Sequence, residues 1–274
     1  MKGQKEAALW GIMDRLTDQG LCLAFSGGVD SSLLLKMAVK LAAPKGTPVY
    51  AVTFNSRLHP ACDLENARRV AKEAGGIHVI LEIDELEMEA IRNNPPNRCY
   101  LCKKQLFERL RDFAAQKGIT ALAEGTNEDD LHVYRPGIQA VRELHVASPL
   151  AQAGLTKAEV RKLAARYGIS AASRPSTPCM ATRLPYGAAL DYGVLKKIEQ
   201  GEGFLKGILK GNVRLRLHGD VARIETDQER LLEAAARAGE IAEGLKKLGF
   251  LYVTLDLEGF RSGSMDLGLA AETE

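Results

Sequence analysis

The chain has 274 residues, 46% of them hydrophobic, with 37 Lys and Arg against 35 Asp and Glu and a net charge of +2. That composition supports one large or two modest packed domains, excludes a disordered majority, and is less basic than a general nucleic-acid binder. No stretch approaches the roughly 20 apolar residues that span a bilayer. The opening MKGQKEAALWGIMDRL has no apolar signal-peptide core, so a cytoplasmic protein without membrane or nucleic-acid partners is expected. Five cysteines, Cys22, Cys62, Cys99, Cys102 and Cys179, are an odd number in a chain too large to need stapling. They are read as core, metal or reactive thiols, with disulfides the least favoured use.

In chain order, strand-like apolar runs LCLAF (21–25), PVYAVTF (48–54), GIHVILEI (76–83) and ITALAEG (119–125) alternate with helical patterns SLLLKMAVKLAA, ENARRVAKEAGG and CKKQLFERLRDFAAQKG. Alternation of this kind predicts right-handed crossovers and a parallel sheet whose ligands bind at the carboxyl ends of the strands. TKAEVRKLAARYG (156–168) carries a capping box, Thr156 with Glu159, and a terminal Gly168. Beyond the Pro-rich segment around Cys179 the pattern predicts a helix (190–201), strands NVRLRLHG and VARIET, a helix (227–247) and a strand FLYVTLDL, a small α+β unit. The boundaries expected are 1–172 for the first domain, 173–265 for the second, and a loose tail over 266–274.

LCLAF runs straight into SGGVDSS (26–32) and then into a helix. Gly27 and Gly28 let backbone approach phosphate oxygens, Ser26, Ser31 and Ser32 add hydroxyl donors, and the helix N-terminus beginning at Val29 and Asp30 offers unpaired N–H groups. No Gly-Lys-Ser/Thr ending follows, so this is not a Walker loop. It resembles the signature of the PP-loop ATP pyrophosphatases. That resemblance implies an adenine nucleotide alpha hydrolase-like α/β fold, ATP as cofactor, and Asp30 helping to hold Mg²⁺. EGTNEDD (124–130), after the fourth strand, resembles the family's Gly-Thr element, which puts Gly125 and Thr126 near ATP. Thr53 and Ser56 fall where the family holds adenine and ribose, and routine strand-end polar residues explain them equally well.

NRCYLCKK (97–104) puts Cys99 and Cys102 one turn apart at the start of a helix. Such a pair can ligate zinc, ligate iron–sulfur or cycle as a redox couple. Zinc lacks further ligands with suitable spacing, and a thioredoxin-like role conflicts with the phosphate loop. Cys179 is the remaining partner, since three thiolates can hold a 4Fe–4S cluster and leave one iron open; two cysteines that simply pack stay an alternative. In RPSTPCMATRLPYG (174–187), Pro175 and Pro178 restrict the backbone around Cys179, and Arg174 and Arg183 are placed to favour a thiolate. A thiol nucleophile needs an electrophile, and adenylation of a carboxylate makes one.

Taken together, SGGVDSS, RCYLCK, EGTNEDD, YRPG (134–137), ASPL (147–150), RPSTPCMATR and RLRLHGDVARIE resemble the ATP-dependent sacrificial sulfur transferases of the LarE family over nearly the whole chain. The resemblance implies a small-molecule substrate, pyridinium-3,5-biscarboxylic acid mononucleotide, whose carboxylates become thiocarboxylates that later hold nickel. It also implies three steps: adenylation of a substrate carboxylate, attack by Cys179 with loss of AMP to form a thioester, and elimination that leaves dehydroalanine. Members with the extra C-x-x-C are thought to bind a 4Fe–4S cluster through three cysteines, here Cys99, Cys102 and Cys179, and to deliver a cluster-bound sulfide. The resemblance further places Arg183, Glu202, Glu225, Arg214 and Arg216 at the active site, the last two suited to the substrate phosphate, and implies a homo-oligomer. Strand alternation puts Arg214 and Arg216 on one face, and a solvated face with salt bridges is the plain alternative. A tRNA thiolase of the same superfamily is the rival reading.

Overall fold

A computed structural model describes residues 3–133, 135–173, 178–261 and 263–264. Arg174, Pro175 and Tyr134 of YRPG, and the tail expected over 266–274, lie outside the described residues. The chain divides into two compact units, Met1–Glu85 with Asn97–Thr177, and Leu86–Pro96 with Pro178–Glu274.

The first unit opens with α1 (Gln4–Leu16) and then alternates β1 (Leu21–Ala24), α2 (Val29–Ala42), β2 (Val49–Ser56), α3 (Ala61–Ala74), β3 (Ile77–Ile83), α4 (Arg98–Gln116) and β4 (Leu122–Ala123). Three further helices, α5 (Gly137–Glu143), α6 (Pro149–Gln152) and α7 (Lys157–Arg166), complete it. All pairings are parallel, in the order β3-β2-β1-β4. This is the parallel α/β sheet the strand–helix alternation predicts.

Both faces of the sheet are covered. Leu21 and Leu23 point into a core shared with Leu34 of α2 and Val160 of α7, while Cys22 points to the opposite core with Val52, Phe107 and Leu110. Side chains alternate along a strand, so β1 feeds two cores at once. Burial pushes the Cys22 thiol up to about 11, as befits a thiol that serves as core.

The fourth strand is shorter than ITALAEG suggests. Past Leu122–Ala123 the chain forms a single parallel bridge from Ala123 to Ala147 and turns at Glu124. Gly125 then packs so closely on the phosphate loop that a Cβ there would lie 3.1 Å from Asp30 Cβ and 3.2 Å from the Ser31 nitrogen. Close approach, rather than strand continuation, is what this glycine provides.

In the second unit β5 (Val213–His218) pairs antiparallel with β6 (Val221–Thr226), and β7 (Tyr252–Leu255) lies parallel to β6. The helices are α8 (Tyr192–Ile208), α9 (Leu231–Ala236) and α10 (Ala238–Lys247). The single helix expected over 227–247 is therefore divided: Arg237 leaves helical geometry, and its guanidinium donates to the Ile208 carbonyl and pairs with Glu240.

Residues 86–96, read from sequence as part of a continuous 1–172 domain, pack with the second unit. Asn94 explains how. It is buried, adopts φ 46°, and donates its side-chain amide to the carbonyls of Leu184 (3.1 Å) and Pro185 (2.8 Å). Its own carbonyl accepts from Gly187, and the Arg92 carbonyl accepts from Leu190. One asparagine in a conformation it tolerates better than most residues thus anchors the Leu184–Pro185 turn.

Candidate active site

The carboxyl ends of the strands in the first unit open on a cavity of about 370 Å³. Its floor is the phosphate loop. Gly27 has φ 69°, and a Cβ there would sit 2.7 Å from Ala67 Cα, so the loop can lie against α3 only with glycine at this position. Asn66 fixes it by donating to the Gly27 carbonyl at 2.8 Å.

Gly28 caps α2, and its carbonyl accepts from the hydroxyls of Ser32 (2.7 Å) and Ser31 (3.3 Å). Ser26 is exposed, and its hydroxyl meets Ser31 Oγ at 3.3 Å, while Val29 is buried and pins the first helical turn to the core. Backbone N–H groups at the start of a fourteen-residue helix and the hydroxyls of Ser26 and Ser31, which line the cavity, make an anion cradle, whereas Ser32 is buried and spends its hydroxyl on the Gly28 carbonyl.

The sequence-predicted neighbours join it. Thr53, Ser56, Gly125 and Thr126 all line the cavity. Thr53 donates to the Phe25 carbonyl at 2.7 Å and lies 2.8 Å from His78 Nε2, whose basicity burial lowers. Ser56 donates to Glu85, whose carboxyl is raised by burial.

Three cations line the same cavity, each with a carboxylate: Lys103 with Glu124 at 3.2 Å, Arg135 with Asp130 at 2.9 Å, and Lys157 with Asp30. Burial would raise the Glu124 carboxyl, but Lys103 and hydrogen bonds from Ser148 and Thr126 outweigh it and hold the group below the usual carboxylate range. Lys157 escapes a reading of sequence, because nothing local tells that the first residue of α7 meets Asp30 across 127 positions. Lys103 and Glu124 do lie inside RCYLCK and EGTNEDD, next to residues those motifs single out.

All five cysteines are thiols, with Cys22 buried, Cys62 and Cys99 exposed, and Cys102 and Cys179 half-buried. Cys99 and Cys102 occupy the first turn of α4, where Arg98 donates to Cys99 Sγ at 3.3 Å. Tyr100, between them, donates to Glu143 of α5 at 2.8 Å, so it braces the helix. Among the described residues no group of three or more His, Cys, Asp or Glu is assembled to hold a metal ion.

The second unit holds the other candidates. Cys179 precedes a short 3-10 turn, Met180–Arg183, and its carbonyl accepts from the Thr182 nitrogen (3.1 Å), the Thr182 hydroxyl (2.7 Å) and Arg183 Nη1 (3.4 Å). Arg183 is fully buried and grips Glu202 through two bonds, 2.7 and 3.2 Å. Burial would raise the Glu202 carboxyl; Arg183 reverses that and lowers it. Arg216 pairs with Glu225 at 2.6 Å and donates to the Thr182 carbonyl, so both arginines hold the backbone around Cys179.

Arg214 sits opposite Glu225 in the β5–β6 register and on the same face as Arg216. Its guanidinium lies over the Phe260 ring at 5.3 Å, and among the described residues it forms no ion pair with a carboxylate.

A strand–SGGVDSS–helix unit under a nucleotide-sized cavity on a parallel sheet defines an ATP-binding PP-loop domain, and residues 1–133 match the PP-loop domain family. The chain is 36% identical over 248 residues to the pyridinium-3,5-bisthiocarboxylic acid mononucleotide synthase of Lactiplantibacillus plantarum, covering 90% of this chain and 89% of that one. It is 36% identical to an uncharacterised Synechocystis protein over 89% of this chain and 91% of the relative. A tRNA-specific 2-thiouridylase of Dinoroseobacter shibae is 29% identical over 66% of this chain and 55% of its own. The chain belongs to the LarE family and is an ATP-dependent sulfur-transferring enzyme.

Proposed function

We propose that this enzyme converts the two carboxylates of pyridinium-3,5-biscarboxylic acid mononucleotide to thiocarboxylates. The observation that carries the reading is the likeness to the L. plantarum synthase through 90% of this chain and 89% of the relative, a span that takes in both units. The thiouridylase likeness reaches only 55% of that enzyme, and a net charge of +2 gives little support to a tRNA surface.

On this reading Ser26, Gly27, Gly28, Ser31 and Ser32 receive the phosphates leaving as pyrophosphate, with Asp30 placed to hold Mg²⁺ beside them. Thr53, Ser56, Gly125 and Thr126 bound the nucleoside end. Arg214, which pairs with no carboxylate among the described residues, offers its planar fork to the substrate phosphate beside Arg216. Arg183 and Glu202, joined by Arg216 and Glu225, present Cys179 by holding its carbonyl and that of Thr182.

In the sacrificial route the Cys179 thiolate attacks the acyl carbon of the adenylate and AMP departs with the electron pair. Loss of the Cα proton and cleavage of Cβ–Sγ then leave sulfur on the substrate and dehydroalanine in the chain. The donor chemistry of Cys99, Cys102 and Cys179 also fits a 4Fe–4S cluster, because all three are thiols and none is fully buried, Cys99 being exposed and Cys102 and Cys179 half-buried. When bound, such a cluster supplies an open iron for an exogenous sulfide.

Anaerobic incubation with ATP, Mg²⁺ and the mononucleotide, followed by mass measurement of the protein, tests the reading. Loss of about 34 Da, one H₂S, marks the sacrificial route. Unchanged mass with thiolated product and bound iron marks the cluster route, and absence of product overturns the substrate assignment.

A further inference from the structure

We infer that Lys157 is an exchangeable counter-ion of the phosphate loop, neutralising Asp30 while no nucleotide is bound and passing to the triphosphate when Asp30 takes a divalent cation. The inference rests on the nucleotide-site reading above and adds a residue that neither the loop nor its motif contains. It starts from the three lysine or arginine pairs of the cavity, which differ in what each carboxylate keeps when its cation leaves.

Glu124 keeps bonds from Ser148 Oγ (2.6 Å), Thr126 N (2.9 Å) and Thr126 Oγ1 (2.8 Å). Asp130 keeps its bond to the Asn127 nitrogen at 3.1 Å. Among the described residues Asp30 keeps only Asn127 Nδ2, at 3.4 Å. Asp30 is therefore left with the weakest hydrogen bonding of the three when its cation leaves, and a divalent cation there restores the balance.

Lys157 is built for exchange. Its backbone is fixed at the start of α7, where Thr156 caps the helix and the Lys157 nitrogen donates to Asp129 at 2.8 Å. Its side chain is a third exposed and lines the cavity with Ser26 and Ser31. A flexible four-carbon stem on a fixed root carries a point charge from one anion to another without moving backbone.

The test measures binding rather than turnover. Mn²⁺ affinity of nucleotide-free protein is read from the electron paramagnetic resonance of free Mn²⁺, and ATP·Mn²⁺ affinity by calorimetry, for wild type, Lys157→Gln, Lys157→Met and Lys103→Gln. Removing Lys157 is expected to tighten Mn²⁺ binding about tenfold without nucleotide and to weaken ATP·Mn²⁺ binding about tenfold, a coupling of ordinary allosteric size. Lys103→Gln is expected to leave nucleotide-free Mn²⁺ affinity unchanged.

Equal Mn²⁺ gains in the Lys103 and Lys157 variants reduce the effect to general cavity charge and overturn the assignment. Unchanged ATP·Mn²⁺ affinity overturns the transfer to phosphate. Wild-type protein that binds no ATP breaks the nucleotide-site reading itself, a result distinct from either. Lys157→Met, which keeps the aliphatic stem, serves if Lys157→Gln fails to fold.

Discussion

The two units use the same ingredients, basic side chains facing carboxylates, in opposite ways. Around the nucleotide cavity Lys103 and Lys157 leave 29% and 34% of their side chains exposed, and the exchange inferred above belongs to Lys157. In the second unit Arg183 and Arg216 are 2% and 6% exposed, held to Glu202 and Glu225, and donate to backbone carbonyls around Cys179. Accessible lysines suit ligands that arrive and leave; on the proposed reading, buried arginine forks suit a nucleophile, Cys179, that must keep its place. Reactivity in one unit is a matter of exchange and in the other of positioning.

The largest expected effect separates these roles outright. Cys179→Ala is expected to abolish thiolation while leaving ATP binding intact, because among the described residues the nucleotide cavity is lined only by those of the first unit. Product analysis with a parallel ATP-binding titration checks both halves. Cys99→Ala divides the two sulfur routes: turnover is lost if a three-cysteine cluster delivers sulfide, and an active Cys99→Ala protein eliminates that route.

Next in size is the buried pair. Glu202→Ala strands the Arg183 guanidinium with no carboxylate in an interior site, and is expected to cost roughly 3–5 kcal/mol of stability by denaturant unfolding. Replacing both partners, Arg183→Met with Glu202→Leu, should recover most of the stability without recovering thiolation. A double variant that thiolates at the wild-type rate would show that the pair serves only the fold.

The first unit has its own rigid point. Gly27→Ala forces a Cβ to within 2.7 Å of Ala67 Cα at φ 69°, and is expected to cost about 2 kcal/mol and to weaken ATP binding. Gly28→Ala meets only Ser26 Oγ, at 3.3 Å, and should cost far less. Equal losses in the two variants would mean that the loop does not lean on α3.

These contrasts explain what was legible in the sequence. The strand–helix alternation and SGGVDSS are local patterns, and they locate the parallel sheet, the loop and the cavity floor because strand ends and helix starts are set by neighbours in sequence. Gly125 and Thr126 were legible through the resemblance of EGTNEDD to the family's Gly-Thr element. The partners of those residues were not: Lys157 meets Asp30, and Asn94 meets Leu184 and Pro185, through tertiary packing that no periodicity encodes. The break at Arg237 is likewise held by a carbonyl on another helix, Ile208, and ITALAEG stops early because Glu124 turns away to gather four donors. Helix and strand propensities carry no information about such distant acceptors.

The smallest expected effect is in the acid response of the cavity. Glu124 and Glu202 are both buried carboxylates held below the usual range, the first by Lys103 with Ser148 and Thr126, the second by Arg183. A carboxyl that is more acidic in the fold than in the unfolded chain lends stability above its unfolded value, near 4.3, and loses it as pH falls through the lowered folded value. Each group then contributes a slope of at most about 1.4 kcal/mol per pH unit in that window.

Glu124→Gln keeps an oxygen for the Ser148 and Thr126 donors but removes the charge that faces Lys103. Its stability curve should therefore be flatter than wild type between about pH 5 and 3, and near-parallel above pH 6. Unfolding midpoints across that range are the measurement. An unchanged acid slope would mean that burial and Lys103 cancel at Glu124; a wild-type curve that falls relative to Glu124→Gln as pH rises through that window would mean that burial outweighs Lys103.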